Sequence, residues 1–266
     1  KIFLYEFISG GGCFDPAIDS VPSGTLLSEG LAMWRAAVAD LLRCNLDLVE
    51  VVTSWDARLP MEHTDFGDPA PTLIVVEDGP FETLSEYIQQ CDAALIIAPE
   101  FDHHLLRWTR AVEASNCVCL GPDSDFVELT TDKSRTSDLL SAAKVPVPRG
   151  HLVEAGRRPD TDLRTPMLAK RNDGAGAMVE VLHELPTEPY QVPMRLEEWL
   201  AGEPCSQSFV LSANGYQGLP PMSQEISFDR AVTYHGGRRL SDQNRVQRAA
   251  KLATQAIEAL PATQGY

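Results

Sequence analysis

The sequence predicts an α/β chain in two parts: a parallel sheet covered by helices, then an α+β half built on antiparallel strands. Three observations predict it. Apolar runs of strand length alternate with helical patterns as far as Leu120. Beyond that point short strands follow one another, and Asn214-Gly215 marks a hairpin turn. The length, 266 residues, suffices for two domains of roughly 100–150 residues each. The texture changes at Gly121-Pro122, which divides the chain into 1–121 and 122–266.

In order along the chain, residues 2–8 form an apolar strand run. Leu27, Leu31, Trp34, Val38 and Leu41 recur at spacings of three and four, one face of a helix. Residues 46–53 and 73–76 are strands, 81–90 a helix, 93–98 a strand, 103–115 a helix, and 117–120 the last strand of the set. Such alternation predicts parallel strands with helices on both faces, and ligands then gather at the strands' carboxyl ends. Residues 123–129 and 132–143 read as short helices, stopped by Val145-Pro146-Val147-Pro148, where the prolines impose extended backbone. Residues 151–164 are polar and read as a loop. Strands follow at 167–171, 177–182, 191–196, 205–211, 216–228 and 231–234. A long helix carries Val246, Ala250, Ala253, Ile257 and Leu260 on one face. There is no internal repeat and no low-complexity tract.

The charge balance excludes one class of partner. With 22 Lys+Arg against 38 Asp+Glu the net charge is −16, a surface that repels phosphate backbones and argues against nucleic-acid binding. Any anionic ligand therefore requires a local positive pocket. The six cysteines are scattered and mostly sit in apolar runs; Cys117 and Cys119 lack a second pair for zinc, so buried free thiols are expected. No signal peptide and no run of eighteen apolar residues occurs, so a cytoplasmic protein without membrane partners is expected. The chain opens on Lys1, and a few residues are expected to precede it.

Two lysines supply the positive pocket. Lys133 follows Thr130-Thr131-Asp132 at the mouth of a helix, where the macrodipole and an ammonium together suit a phosphate. Lys170 ends the run Pro166-Met167-Leu168-Ala169, and an ammonium beside a sheet requires an anionic partner. A solvated lysine is the simpler reading of each in isolation. Asp173-Gly174-Ala175-Gly176-Ala177 has no bulky side chain, so its amides have access to phosphate oxygens; an ordinary hairpin turn explains the glycines nearly as well. No Gly-Lys-Ser/Thr follows it, so it is no Walker loop. Glu197-Glu198-Trp199-Leu200 joins two blocks and offers backbone edges and apolar walls to an adenine, with Glu203 near for ribose; core packing is the alternative for Trp199 and Leu200. His103, His104 and His235 lack partners at metal spacing. Gly10-Gly11-Gly12 and Glu100 end strands of the first half, which makes Gly11 and Glu100 candidate substrate contacts.

These segments, in this order, resemble the ATP-grasp superfamily of carboxylate–amine ligases over most of the chain. The resemblance implies a Rossmann-like pre-ATP-grasp domain at 1–121 and an ATP-grasp domain at 122–266, incomplete at its carboxyl end. It implies ATP held by Lys133 and Lys170, a glycine lid at Asp173, Gly174, Ala175 and Gly176, and an adenine hinge at Glu197, Glu198, Trp199 and Leu200. In several relatives the ribose carboxylate lies two residues beyond the hinge glycine, where this chain has Pro204; Glu203 sits one earlier. The resemblance places the family's magnesium ligands after the long helix, so either the protein continues past Tyr266 or this chain holds no catalytic metal, and none of its residues is a metal-ligand candidate. The implied reaction is phosphorylation of a substrate carboxylate by ATP, with magnesium, followed by attack of an amine. Arg238 and Arg239, after Gly236-Gly237, would steady the acyl phosphate; a solvated basic loop is the alternative. Phe3-Leu4-Tyr5-Glu6-Phe7, Ser28-Glu29-Gly30 and Ala98-Pro99-Glu100 are similar to the tyramine–glutamate ligase group of methanofuran biosynthesis. A non-catalytic ATP-binding protein and a small-molecule kinase are the rival functions. The carboxylate and amine are not identified, and a homo-oligomer is compatible with the sequence.

Overall fold

The computed structural model describes residues 1–15, 18, 20–44, 48–174, 179–212, 214–228 and 232–263. The chain separates into two compact units, one formed by Lys1–Ser124 and the other running from Asp125.

The first unit is a five-stranded parallel sheet in the order β3-β2-β1-β4-β5. Its strands are β1 (Ile2–Glu6), β2 (Val51–Asp56), β3 (Thr72–Val76), β4 (Ala93–Ile97) and β5 (Val118–Cys119). Strand alternation distributes its side chains between two cores. Leu4, Val51 and Trp55 pack against Trp34, Val38 and Leu42 of α1 (Gly24–Arg43) on one face. Phe3, Tyr5, Val52 and Ala94 meet Leu84 and Ile88 of α2 (Pro80–Ile88) and Trp108 and Val112 of α3 (His104–Glu113) on the other. Trp34 is fully buried, and its indole N–H donates to Thr53 Oγ1 at 2.8 Å. A tryptophan so buried contributes roughly 4–6 kcal/mol of hydrophobic stabilisation before entropy is subtracted.

The second unit opens with α4 (Ser124–Thr131) and α5 (Lys133–Ala142). A four-stranded sheet follows in the order β6-β9-β7-β8, made of β6 (Gly150–Val153), β7 (Met167–Arg171), β8 (Val179–Leu182) and β9 (Met194–Glu198). Every pairing in it is antiparallel. Beyond it lie β10 (Cys205–Ser206), β11 (Phe209–Ser212), β12 (Gly215–Gly218), β13 (Met222–Phe228), β14 (Val232–Arg239) and α6 (Gln243–Ala259). The strands β10, β13 and β14 form one antiparallel sheet, while β11 and β12 form the hairpin predicted at Asn214-Gly215.

Several expected boundaries are corrected. The first strand ends at Glu6, because residues 7–11 turn back and the Gly10 N–H donates to the Glu6 carbonyl at 2.8 Å. The strand expected at 46–53 is Val51–Asp56; Trp55 and Asp56 continue the ladder against Val75 and Val76. The polar stretch 151–164 is not all loop, because Gly150–Val153 pairs with Met194–Glu197. The run 216–228 is two strands, broken where Pro220-Pro221 removes two backbone donors. The strand beginning near 231 extends to Arg239, so Arg238 and Arg239 lie in a ladder rather than in a basic loop. Two cysteines expected to be buried, Cys44 and Cys205, are exposed.

Candidate functional site

Each face of the β6-β9-β7-β8 sheet has its own chemistry. Met167 and Ala169 on β7, with Met194 and Leu196 on β9, point to one side and form the core of this sheet with Val153 and Leu163. Alternation therefore sends Leu168 and Lys170, Arg195 and Glu197 to the other side. Register completes the placement: Lys170 lies directly across from Arg195, and Leu168 from Glu197. Lys170 Nζ is 2.5 Å from Glu197 Oε2, while Arg195 Nε donates to Glu197 Oε1 at 2.7 Å. Arg195 and Glu197 are buried, whereas the Lys170 side chain is 23% exposed. One carboxylate is thus held between two cations, and only the lysine reaches water.

The helix α5 covers this face and brings Lys133 with it. Asp132 caps α5, its carboxylate accepting the Arg135 N–H at 2.9 Å. Arg195 Nη2 donates to Ser137 Oγ at 2.7 Å and Nη1 to Ser134 Oγ at 3.3 Å. Asn172, just past the end of β7, ties the same helix down. Its Oδ1 accepts from Ser134 N (3.1 Å) and Ser134 Oγ (2.7 Å), and its Nδ2 donates to Asp132 Oδ1 at 2.9 Å. The Lys133 N–H donates to the Asn172 carbonyl at 2.9 Å, and the Lys133 ammonium donates to the Gly174 carbonyl. An unbroken chain of hydrogen bonds and ion pairs therefore runs from Lys170 through Glu197, Arg195, Ser134 and Asn172 to Lys133. The two lysines, separated by 37 positions (170 − 133), are thus linked through one network, Lys133 by its backbone N–H and Lys170 by its ammonium.

The other predicted residues are placed as follows. Asp173 forms a forked pair with Arg171 at 2.9 and 3.0 Å, and Gly174 holds a positive φ of 79° that suits glycine. Ala175, Gly176 and Ala177 lie outside the described residues. Glu197 and Glu198 are the last residues of β9, so the Glu197 side chain turns inward to Lys170 rather than toward the linker. The Glu198 N–H donates to the Arg149 carbonyl at 2.8 Å, fixing the start of that linker. Trp199 meets Phe228 edge to face, 4.8 Å between centroids, and Leu200 is exposed. Glu203 is ion-paired with Arg245 of α6. Arg238 and Arg239 are neighbours on β14 and so point to opposite faces of their sheet; Arg238 is exposed and lies 2.8 Å from Glu225. The pair is not brought together toward one atom. Among the described residues no group of three His, Cys, Asp or Glu side chains could hold a metal ion.

In the first unit Gly11 and Glu100 lie in the turns that follow adjacent strands, β1 and β4, where the strand order reverses. Gly11 has φ 96°, and a Cβ there would lie 2.9 Å from Val76 Cγ1, so close packing already demands glycine. Tyr5, Phe7 and Trp108 belong to the core on one face of the parallel sheet and, with Phe14 and Phe81, also line a cavity of about 210 Å³. Arg107 stacks 3.6 Å over the Phe81 ring and lies 3.8 Å from Glu82 at its edge. The Tyr5 hydroxyl is fully buried, and no described residue accepts its proton. Burial lowers the pKa of His104, which also lines the cavity. Asn172, Ser134, Ser137 and Arg195 are the site residues that sequence reasoning missed.

Residues 49–127 match the model of the pre ATP-grasp 3 domain, and residues 130–266 match that of the ATP-grasp domain. No curated protein matches the chain. Among solved structures, one from Archaeoglobus fulgidus, described as of the ATP-grasp superfamily, is 23% identical with a TM-score of 0.71. The alignment covers 100% of this chain and 74% of that one. The VanG D-Ala:D-Ser ligase of Enterococcus faecalis is 14% identical, TM-score 0.62, covering 97% of this chain and 82% of that one. The N5-carboxyaminoimidazole ribonucleotide synthetase of Thermotoga maritima is 15% identical, TM-score 0.58, covering 97% of this chain and 60% of that one. At these identities the likeness is one of fold.

Proposed function

Because the chain belongs to the ATP-grasp family, we propose that it binds ATP at the Lys133–Lys170 cluster and joins a small-molecule carboxylate to an amine. The observation that carries this reading is the joining of both lysines into one network on a single sheet face. Lys133 and Lys170 would hold phosphate oxygens, and the backbone from Glu198 to Leu200 would take the adenine edge. Chemically, a substrate carboxylate oxygen attacks the γ-phosphorus and ADP departs. The amine then attacks the acyl carbon, inorganic phosphate leaves, and the amine loses a proton to solvent. The chain's own contribution is charge neutralisation and alignment of the phosphates. The test is ADP release by the full-length protein with a carboxylate, with and without an amine. Release that needs both substrates is expected. Release without amine would mark a kinase, and ATP binding with no release a non-catalytic relative.

The first unit's cavity supports a finer reading. Its five aromatic rings and about 210 Å³ suit one six-membered ring with a short chain. The resemblance to tyramine–glutamate ligases names such a molecule. Tyramine is expected to raise the melting temperature and an aliphatic amine of equal charge is not; equal shifts would remove this reading while leaving ATP binding intact.

A further inference from the structure

We infer that Arg195 and Glu197 are positioning residues that set the charge and the placement of Lys170. The inference rests on the reading that this cluster holds the phosphates of ATP. Taken alone, Lys170 and Glu197 at 2.5 Å would be a closed, neutral pair, and the lysine's charge would be spent inside the protein. Arg195 changes that balance. Its guanidinium, whose side chain is only 2% exposed, occupies the second oxygen of the same carboxylate at 2.7 Å. Three ionised groups then share a net charge of +1, and the surplus is presented by the one member that reaches solvent.

Each member is required by the others. Arg195 tolerates burial because Glu197 compensates its charge and Ser134 and Ser137 accept from its remaining nitrogens. Glu197 fixes the ammonium by engaging one of its three donors. The two serines lie on α5, whose first residue is Lys133, so the same guanidinium also fixes the helix carrying one lysine against the strand carrying the other. A purely structural ion pair would also stabilise the fold, but its loss would not depend on how many phosphates a ligand carries.

The test uses the full chain as wild type, Arg195→Met, Glu197→Gln and the double variant, in which the triad charge is +1, 0, +2 and +1. Binding of ATP, adenosine and inorganic tripolyphosphate is measured by calorimetry, with melting temperature as the control for folding. Arg195→Met is expected to weaken tripolyphosphate about tenfold. Glu197→Gln is expected to bind it at least as tightly as wild type, and the double variant to return to within about threefold of wild type. Adenosine affinity is expected to stay constant throughout. Arg195→Lys, which keeps the charge and gives up part of the fork, is expected to stay near wild type for tripolyphosphate. Equal weakening by both single substitutions, with no recovery in the double, would overturn the inference. So would weakened tripolyphosphate binding by Glu197→Gln alone, should Arg195→Met fail to fold. A wild-type chain that binds neither ATP nor tripolyphosphate would instead overturn the ATP site itself.

Discussion

Replacing Lys170 with Met removes one charge while keeping a flexible apolar stem on the same sheet face. The fold should tolerate this. Glu197 keeps Arg195 at 2.7 Å, so no buried carboxylate is left without a cation. The lost pair lies at a partly exposed edge, with 23% of the lysine side chain in water. The cost to stability is therefore expected to be about 1 kcal/mol or less. Ligand affinity should respond more strongly. An ammonium about 3 Å from a phosphate oxygen, at an effective dielectric of about 20, is attracted by roughly 5 kcal/mol. Part of that is cancelled because the ammonium must give up water and share itself with Glu197. A charge-assisted hydrogen bond has a net worth of about 1.5–3 kcal/mol, which is about 10- to 150-fold in affinity. Calorimetric titration with ATP and with adenosine reads both effects. ATP should weaken by at least about tenfold and adenosine should not change. ATP affinity within twofold of wild type, or an equal loss for adenosine, would refute the phosphate role.

Trp199 emission is expected to change with adenosine and ATP but not with tripolyphosphate, and the response should vanish in Trp199→Phe. The other tryptophans, Trp34, Trp55 and Trp108, are buried in the first unit and provide a constant background; an equal response to tripolyphosphate would count against the hinge. Thiol labelling at pH 8 should modify Cys44 and Cys205 rapidly. Burial lifts the Cys117 thiol from 9.0 to about 11, which lowers its thiolate fraction at that pH about 100-fold. Labelling of Cys117 at the fast rate would contradict its placement. Gly30→Ala should lower the melting temperature, because its Cβ would lie 2.8 Å from Ile8 Cβ and 3.0 Å from the Glu6 carboxylate. Crowding of about 1–3 kcal/mol outweighs the helix-propensity gain of about 1 kcal/mol, so an unchanged or raised melting temperature would show that α1 sits elsewhere.

The sequence carried the alternation of the first unit because strands of a parallel sheet are buried on both faces and read as unbroken apolar runs. Edge pairing is less visible. Gly150–Val153 is too short and too polar to announce a strand, and it becomes one only because β9 supplies its partner. The strand expected at 231–234 continues through Gly236-Gly237, since Ser223 and Gln224 stand opposite Arg238 and Gly237. The same limit separates the site residues that were legible from those that were not. Lys133 and Lys170 were legible from position alone, one at a helix mouth and the other at the end of an apolar strand. Arg195 was not. Alternation with Met194 and Leu196 places it on the face away from the core, and for a charged residue that face is ordinarily water. Here α5 occupies it, and no local pattern records which helix covers which face. Glu197 was read with the hinge because the run Glu197-Glu198-Trp199-Leu200 joins two blocks; its ion pair with Lys170, from the same sheet face, was not visible in that run. Once register is known, the charge balance of the site follows without further assumption: a second cation on Glu197 is what leaves Lys170 with a charge to offer.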